Sequence, residues 1–473
     1  MAGVRSVFDI ATTALTTSQL ALQTVSHNIA NVDTPGYARQ EAVLQESTPL
    51  PSPVGPLGNG VKVSEIRRYV DKYLEDTITN KNSDLQFQKT SEQYLQQIEG
   101  ILNEDNSGLT TNITGFFNAW HDLSTDPTSV PSRVTLETQG ENLAGSIRRV
   151  YSDLRGLQSE INNTVGQEVD NVNRITTTIA SLNQRISEAG TDGQANDYLD
   201  QRTELLKELS GDLGIVSFED KNHNVTVLGP DGKPLVDLNK HWNLTVSDPN
   251  ATGSFSVNWE DSNGNLSNIT PDIKTGTLGS LLHERDVDAQ GFVDQLNALA
   301  KTITAQVNQI HETGYNLNQT TGISFFKPVT QNYAANMDVS DEIKNDVSNI
   351  ASTSSPDRPT DNDVTLGIAA LGEANVPFTV NGSTTQTTPV DFVSSMLGRV
   401  GELSKNAQDL VQYQDNTMTL LKSQREAVSG VSLDEELTNM MQYQRAYQAS
   451  ARLISVADEM LVTVLGIGNA SNA

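Results

Sequence analysis

Two stretches at opposite ends of the chain carry the same pattern, and any fold has to satisfy both. Between Met1 and Val32 only Arg5 and Asp9 bear a formal charge, with His27 neutral. Val4, Phe8, Ala11, Leu15, Ser18, Leu22, Val25 and Ile29 recur there at alternating spacings of four and three. This is the a/d seam of a helix that packs lengthwise on another helix. Its other faces are Thr, Ser, Gln and Ala, not the Glu and Lys of a solvated helix, so it calls for partners on several sides. Near the other end Leu433, Leu437, Met440, Tyr447, Ala451, Ile454, Leu461 and Leu465 keep the same spacing, with Gln444 and Asp458 as polar exceptions. Ser432 to Glu435 has the form of a capping box, and Asp434, Glu435 and Glu436 suit the positive end of a helix dipole. Gly466 and Gly468 mark its expected end. Two such one-sided helices are most simply satisfied by pairing with each other. Packing of each on its own neighbouring domain is the alternative that periodicity leaves open.

Asp33-Thr34-Pro35-Gly36-Tyr37 stops the first helix. Pro35 disfavours helical geometry at Thr34 and fixes its own φ, and Gly36 can take the positive φ of a sharp turn. Pro49, Pro51, Pro53 and Pro56 with Gly55, Gly58 and Gly60 then make 48–60 a loop or extended arm. Helical patterns cover about Tyr69–Leu102 and Ile147–Ala189, the second with Ile161, Val165, Val172, Ile175, Ile179, Leu182 and Ile186 on one face. At 1.5 Å per residue that helix alone spans roughly 60 Å, so the body is elongated. A short charged helix covers 197–211. Strand-like runs follow at 215–218, 224–228, 235–238, 244–246 and 255–259, separated by turn signals at Pro230-Asp231-Gly232, Asp248-Pro249-Asn250 and Asn263-Gly264. Helical spacing returns with Phe292, Leu296, Leu299, Ile303, Val307 and Ile310. Residues 345–365 are polar loop, and a last long helix covers about 392–428.

The expected fold is therefore mainly α, elongated and multidomain, with a small antiparallel β domain inserted and the terminal helices paired as a coiled coil. The expected units are an inner layer of 1–33 plus 432–473, a long-helix body of 34–210 plus 278–431, and the β insert at 211–277. A length of 473 residues fits about three domains. Aromatics at 5% with 3 Trp predict thin, aliphatic cores. The net charge of −28 argues against nucleic acid as a partner. With no cysteine, disulfides, thiolate catalysis and thiolate metal sites are excluded. No run approaches the ~18 apolar residues of a membrane span, and Thr12, Thr13, Thr16, Thr17, Ser18 and Gln19 break any signal-peptide core.

No catalytic constellation emerges. His283-Glu284 and His311-Glu312 each resemble half of a zinc-protease helix, but the positions that need the second histidine hold Val287 and Tyr315. Asp261-Ser262-Asn263-Gly264-Asn265 lacks the spacing and terminal Glu of a calcium loop and is better read as a hairpin turn. No phosphate-binding or nucleophile-elbow motif is present. No cofactor or metal is expected, and a hydrolase is disfavoured.

Asn28-Ile29-Ala30-Asn31-Val32-Asp33-Thr34-Pro35-Gly36-Tyr37 resembles the N-terminal signature of the flagellar rod, hook and hook-associated axial proteins. Residues 429–436, SGVSLDEE, followed by Tyr443-Gln444-Arg445-Ala446-Tyr447-Gln448-Ala449, resemble their C-terminal signature. Within that family the helical body, with 179–186 and 199–206, is most similar to the members that join hook to filament. The resemblance implies a structural, non-enzymatic protein that assembles with copies of itself, with the hook protein and with the next hook-associated junction protein. It also implies an extracellular place at the hook–filament junction and export through the flagellar type III channel without a cleaved signal peptide. A chaperone would mask the C-terminal helix, and no membrane insertion or nucleic acid is involved. On this reading Val4, Phe8, Leu15, Leu22, Val25, Ile29, Leu437, Met440, Tyr447, Ile454 and Leu461 are assembly residues, and the turn Asp33–Tyr37 sets the angle between layers. A hook or rod protein, or a secreted adhesive filament component using the β insert, is the alternative.

Overall fold

A computed structural model describes residues 2–51, 55–190, 195–248 and 253–470, with side chains from 4 to 463 within those spans. Pro53, Pro249, Asn250 and the Leu465 side chain lie outside the described residues. The chain opens with α1 (Ala2–Ala30), a turn, and a hairpin of β1 (Gln40–Glu46) and β2 (Val61–Arg68). Next come α2 (Lys72–Leu102), α3 (Glu104–Ser107), α4 (Leu109–Thr125), α5 (Val130–Ala189) and α6 (Asn196–Asp212). The β region holds β3 (Val216–Glu219), β4 (Val225–Leu228), β5 (Pro234–Asp237), β6 (Lys240–His241), β7 (Leu244–Ser247), β8 (Ser256–Glu260) and β9 (Leu266–Asn268). It is followed by α7 (Gly276–His283), a π-helical turn at Glu284–Ala289 and α8 (Gln290–His311). Short helices α9 (Tyr333–Asn336), α10 (Asp341–Asn345) and α11 (Asp363–Ala370) lead to a hairpin of β10 (Val376–Val380) and β11 (Ser383–Thr387). Two long helices close the chain, α12 (Pro389–Ser429) and α13 (Leu433–Ala470).

α5 is the spine. Ser129 caps it, its hydroxyl accepting from Ser132 N at 3.3 Å, and Pro131 occupies the first turn, where its missing N–H costs nothing. Sixty residues at 1.5 Å each make it roughly 90 Å long, because it starts seventeen residues before the expected Ile147. A continuous apolar stripe from Leu136 to Ile186 is buried along its length. α4, α6, α7 and α8 pack against it, and α2 packs on α12.

The β region forms two antiparallel sheets, one ordered β3-β4-β5-β6 and one β7-β8-β9. Five of its seven strands lie where alternation placed them. Gly232 and Gly264 take φ of +77° and +81° in the expected turns. The region shares its core with the body: Val225, Val227, Leu235, Val236, Leu244 and Val257 are buried in the same apolar cluster as Ile175 and Ile179 of α5.

Several expectations need correction. The described parts of 48–60 are irregular as expected, but they join β1 and β2, two strands that alternation does not reveal because both faces of the hairpin carry charge. α4 was missed although it holds the densest aromatic packing. Phe116, Trp120, Phe325, Phe326 and His311 interlock with ring centroids 4.9–6.3 Å apart. The core is thus aliphatic along α5 but aromatic at this one end. Gly466 and Gly468 do not end α13, which continues to Ala470.

Candidate functional site

α1 packs along α13, and its flank also lies on β1 and β2. Asn28, near the end of α1, meets Glu436 in the first turn of α13, so the two helices run antiparallel from a shared base. On α1 the buried face takes in three of the eight expected seam positions, Ala11, Ser18 and Val25, and the residues beside them, whereas on α13 it lies next to the seam. On α1 the fully buried residues are Ala11, Thr17, Ser18, Ala21, Thr24, Val25 and Asn28. On α13 they are Glu436, Ser450 and Ala457, with Tyr443 half-buried between the first two. Small side chains let backbones approach closely, which is why they, and not the largest apolar residues, sit innermost. The Thr17 hydroxyl donates to Val61 O at 3.1 Å, and a Cβ on Gly60 would fall 2.4 Å from Thr13 Oγ1.

Of the sequence-predicted assembly residues, Val25 is buried, whereas Val4, Leu15, Leu22, Ile29, Met440, Ile454 and Leu461 are only half-buried. Phe8, Leu437 and Tyr447 are exposed at 38%, 49% and 37%. The exposed apolar set also includes Val7, Met441, Leu453, Val456, Met460 and Val462, which sequence reasoning did not single out. The a/d template had discarded them because they fall outside its two positions.

The base of the pair is a polar knot. Asn28 is fully buried and uses its whole amide. It donates to Gln40 O at 2.8 Å and to Glu436 Oε2 at 3.0 Å, and it accepts from Tyr37 OH at 2.8 Å and Gln40 N at 3.0 Å. Only an amide offers two donors and two acceptors at this length. Glu436, buried, takes a second bond from Arg39 Nε at 2.8 Å. Burial opposes charge on Arg39, and Glu436 more than offsets that, holding the guanidinium above its ordinary value. Burial, then Asp197, Asp200 and Glu436, push the Tyr37 hydroxyl up, so it stays a donor. Glu435, expected to cap Ser432, instead lies 3.6 Å from the Arg39 guanidinium.

The turn Asp33–Tyr37 docks on the body. Gly36 has φ +81°, and a Cβ there would sit 2.2 Å from Glu204 Cγ on α6. Its carbonyl accepts from Arg425 Nη2 at 2.7 Å, as does that of Tyr37 at 3.2 Å. Arg425 of α12 also binds Glu75 of α2 at 2.9 Å, and Glu75 binds Lys207 of α6 at 2.8 Å. Burial pushes the Glu75 carboxyl up, but the two cations win and hold it below its ordinary value. Ala38 N donates to Asp200 at 3.2 Å, Arg39 N to Ser429 O at 2.9 Å, and His27 Nε2 lies 3.1 Å from Asp197. Four elements, α1, α6, α12 and α13, therefore hold residues 36–40.

The histidine motifs are structural. His311 is buried and neutral, its pKa pushed down to about 4 by burial. Nδ1 donates to Ile323 O at 2.7 Å, and Nε2 accepts from Ala351 N at 2.9 Å. His283 is exposed, 3.3 Å from Asp288. Asp261 accepts from the backbone N–H groups of Asn263 and Asn265, both at 2.8 Å, as a hairpin turn does. Among the described residues no group of three or more His, Asp or Glu is placed to hold a metal, and no helix is long and apolar enough to cross a membrane.

Comparison with known proteins matches three family models along the chain. Residues 95–326 match the flagellar hook-associated protein FlgK helical domain, 422–467 the flagellar basal body rod FlgEFG protein C-terminal region, and 8–37 the flagella basal body rod protein. Flagellar hook-associated protein 1 of Bacillus subtilis is 27% identical, over 96% of this chain and 97% of its own length. That of Escherichia coli is 25% identical over 98% and 100%. Among solved structures, the flagellar hook junction protein FlgK from Burkholderia pseudomallei shares the fold, with a TM-score of 0.66 at 14% identity. The match covers 75% of this chain and all of that one. The helical body, the paired ends and these matches together make the chain similar, over nearly its whole length, to flagellar hook-associated protein 1.

Proposed function

We propose that this chain is the adaptor between flagellar hook and filament, and that it assembles through the α1–α13 pair. The observation that carries this reading is the apolar surface the pair leaves uncovered. Phe8, Leu437, Met441, Leu453, Val456 and Met460 are each at least 38% exposed on two helices that have already buried their small-residue faces. Exposed apolar surface of this extent marks an interaction site. Its occupants are the equivalent helices of neighbouring copies, arranged head to tail so that the contact repeats into a tube around an axial channel. Val4, Leu15, Leu22, Val25, Ile29, Met440, Tyr447, Ile454 and Leu461 line or back that contact. One end of the ring meets hook protein and the other the next hook-associated junction protein.

The role is mechanical and needs no catalysis. Before assembly the same apolar helix is a hazard, which a C-terminal export chaperone would mask on the way through the flagellar type III channel to the cell exterior. The inner layer is 1–33 with 432–473, and the turn Asp33–Tyr37 sets its angle to the body. The test is to delete 434–473 in a motile strain. Hooks should form and filaments fail to attach; filaments that still attach to hooks would refute the reading.

A further inference from the structure

We propose that the groove at the seam of the two β sheets binds a neutral oligosaccharide. The groove is about 430 Å³, within the range of small-molecule sites, and residues 239–243 and 260–262 line it. Among the described residues none of α1 or α13 takes part, so the proposal does not depend on the assembly role of the terminal helices.

The backbone of the groove is fixed while its side chains are free. Trp242 N donates to Leu235 O in the first sheet at 3.0 Å, and Glu260 N in the second sheet donates to Asn243 O at 3.0 Å. Trp242-Asn243 is therefore the crossing between the sheets. On one side the β5–β6 turn holds Leu238 at φ +54°, a conformation that is costly for a leucine. Asn183 Nδ2 of α5 secures it by donating to Leu238 O at 2.7 Å. On the other side the Asp261 carboxylate ties its own hairpin turn together through Asn263 N and Asn265 N. Among the described residues the side chains of Asn239, Lys240, His241, Trp242, Asn243 and Glu260 make no hydrogen bond and no ion pair within the chain. Trp242 and Glu260 are half-buried, and the other four are exposed.

These free groups match the chemistry of a sugar. A pyranose has an apolar C–H face, which lies on an aromatic ring, and hydroxyls that each donate and accept. Trp242 supplies the ring and a spare indole N–H. Asn239 and Asn243 each offer donors and an acceptor, neutral His241 one of each, Lys240 donates and Glu260 accepts. Charge selects against ions. One lysine stands against two carboxylates, and Asp261 is spent on its own turn, so the groove is nearly neutral on a chain of net charge −28. The fixed backbone removes part of the ordering cost of binding.

The experiment is an NMR titration of the full chain, isotope-labelled at tryptophan, with chitotriose, maltotriose and lactose, and with glycerol as control. The 3 tryptophans give three indole N–H signals. That of Trp242, assigned by its loss in Trp242→Phe, should shift saturably with at least one sugar, at a Kd on the order of 1 mM. Those of Trp120, which is buried, and Trp259, whose Nε1 donates to Pro234 O at 2.8 Å, should stay in place. Trp242→Phe keeps a ring and should retain most of the affinity, read by saturation transfer to the sugar, whereas Trp242→Ala should weaken it about tenfold. Asn239→Ala/Asn243→Ala alters only exposed positions, keeps the fold and should also weaken binding about tenfold. No saturable Trp242 shift with any of the three sugars would overturn the proposal. So would a shift that glycerol reproduces, or binding that Trp242→Ala and Asn239→Ala/Asn243→Ala both leave unchanged.

Discussion

Asn28→Ala tests whether the polar knot fixes the terminal pair to the body. The change deletes four hydrogen bonds in a site where Asn28, Gln40, Tyr37 and Glu436 are all buried. Three of the lost bonds are neutral, worth about 1 kcal/mol each, and the one to the Glu436 carboxylate about 2. The space left by the amide admits water, which recovers part of the loss, so about 4 kcal/mol is the expected cost. This cost should be local. The core along α5 shares none of these groups, so amide exchange in α1 and the first turns of α13 should speed up roughly a thousandfold while α5 stays protected. Asn28→Asp is the sharper companion. It keeps both acceptors but places a second carboxylate within about 3 Å of Glu436, and it should open the pair further at pH 8 than at pH 4. Exchange in α1 unchanged by Asn28→Ala would refute the idea that the knot, and not the apolar contact above it, holds the base.

Gly36→Ala should destabilise by about 1–2 kcal/mol for the positive φ alone, with more for displacing Glu204; Gly36→Ala/Glu204→Ala should recover only the second part in denaturant titrations. Leu437→Asp/Met441→Asp alters exposed positions, so the monomer's melting point should stay put while attachment of filaments to hooks is lost, scored by electron microscopy. Glu284 is fully buried, and burial followed by Asp288 raises its pKa from 4.5 to about 8, against the bond from Ser91 at 2.5 Å. The folded protein thus holds a proton the unfolded chain releases. Its stabilising effect is complete below about 4.5 and is lost as pH rises through about 8, at up to about 1.4 kcal/mol per pH unit. Glu284→Gln removes that slope, so wild type should lose stability relative to the variant between pH 5 and pH 9; parallel curves would count against a shared proton in the π-helical turn.

Periodicity made the helical skeleton legible because the stripes on α1, α5, α8 and α12 are long enough for the 3.6-residue repeat to stand out from noise. The hairpins β1–β2 and β10–β11 were illegible for the converse reason. Their strands run five to eight residues and carry polar side chains on both faces, Lys62 on one face of β2 with Glu65 and Arg67 on the other, and Thr384 and Thr385 on the two faces of β11. The candidate site was half legible. Its turn was visible in Pro35 and Gly36, and its exposed face was partly visible in Phe8 and Leu437. Its fixings were not, because Asn28, Glu75, Asp200, Arg425 and Glu436 are polar residues that a helix pattern assigns to solvent. Their partners lie up to 408 positions away, and single-sequence spacing carries no information on such pairs. The same blindness hid the union of the β region with the α5 core. For that reason removing 212–277 would strip buried surface from α5, and substitutions at exposed Val216 and Phe218 are the cleaner probe of what the β region contributes.

The knot also has a place in time. Asn28 finds Gln40 and Tyr37 within twelve residues, but Glu436 only across 408. Closing a flexible loop of that length costs on the order of 5 kcal/mol, more than the single bond to Glu436 returns. The contact therefore cannot form early. The body must fold first and shorten the path between the ends. α1 is synthesised at the start and seated at the finish, and until then its small-residue face has no helix to lie on. Seating of Glu436 is in effect a completion signal: a chain in which Asn28 has all four bonds is one whose body has already folded.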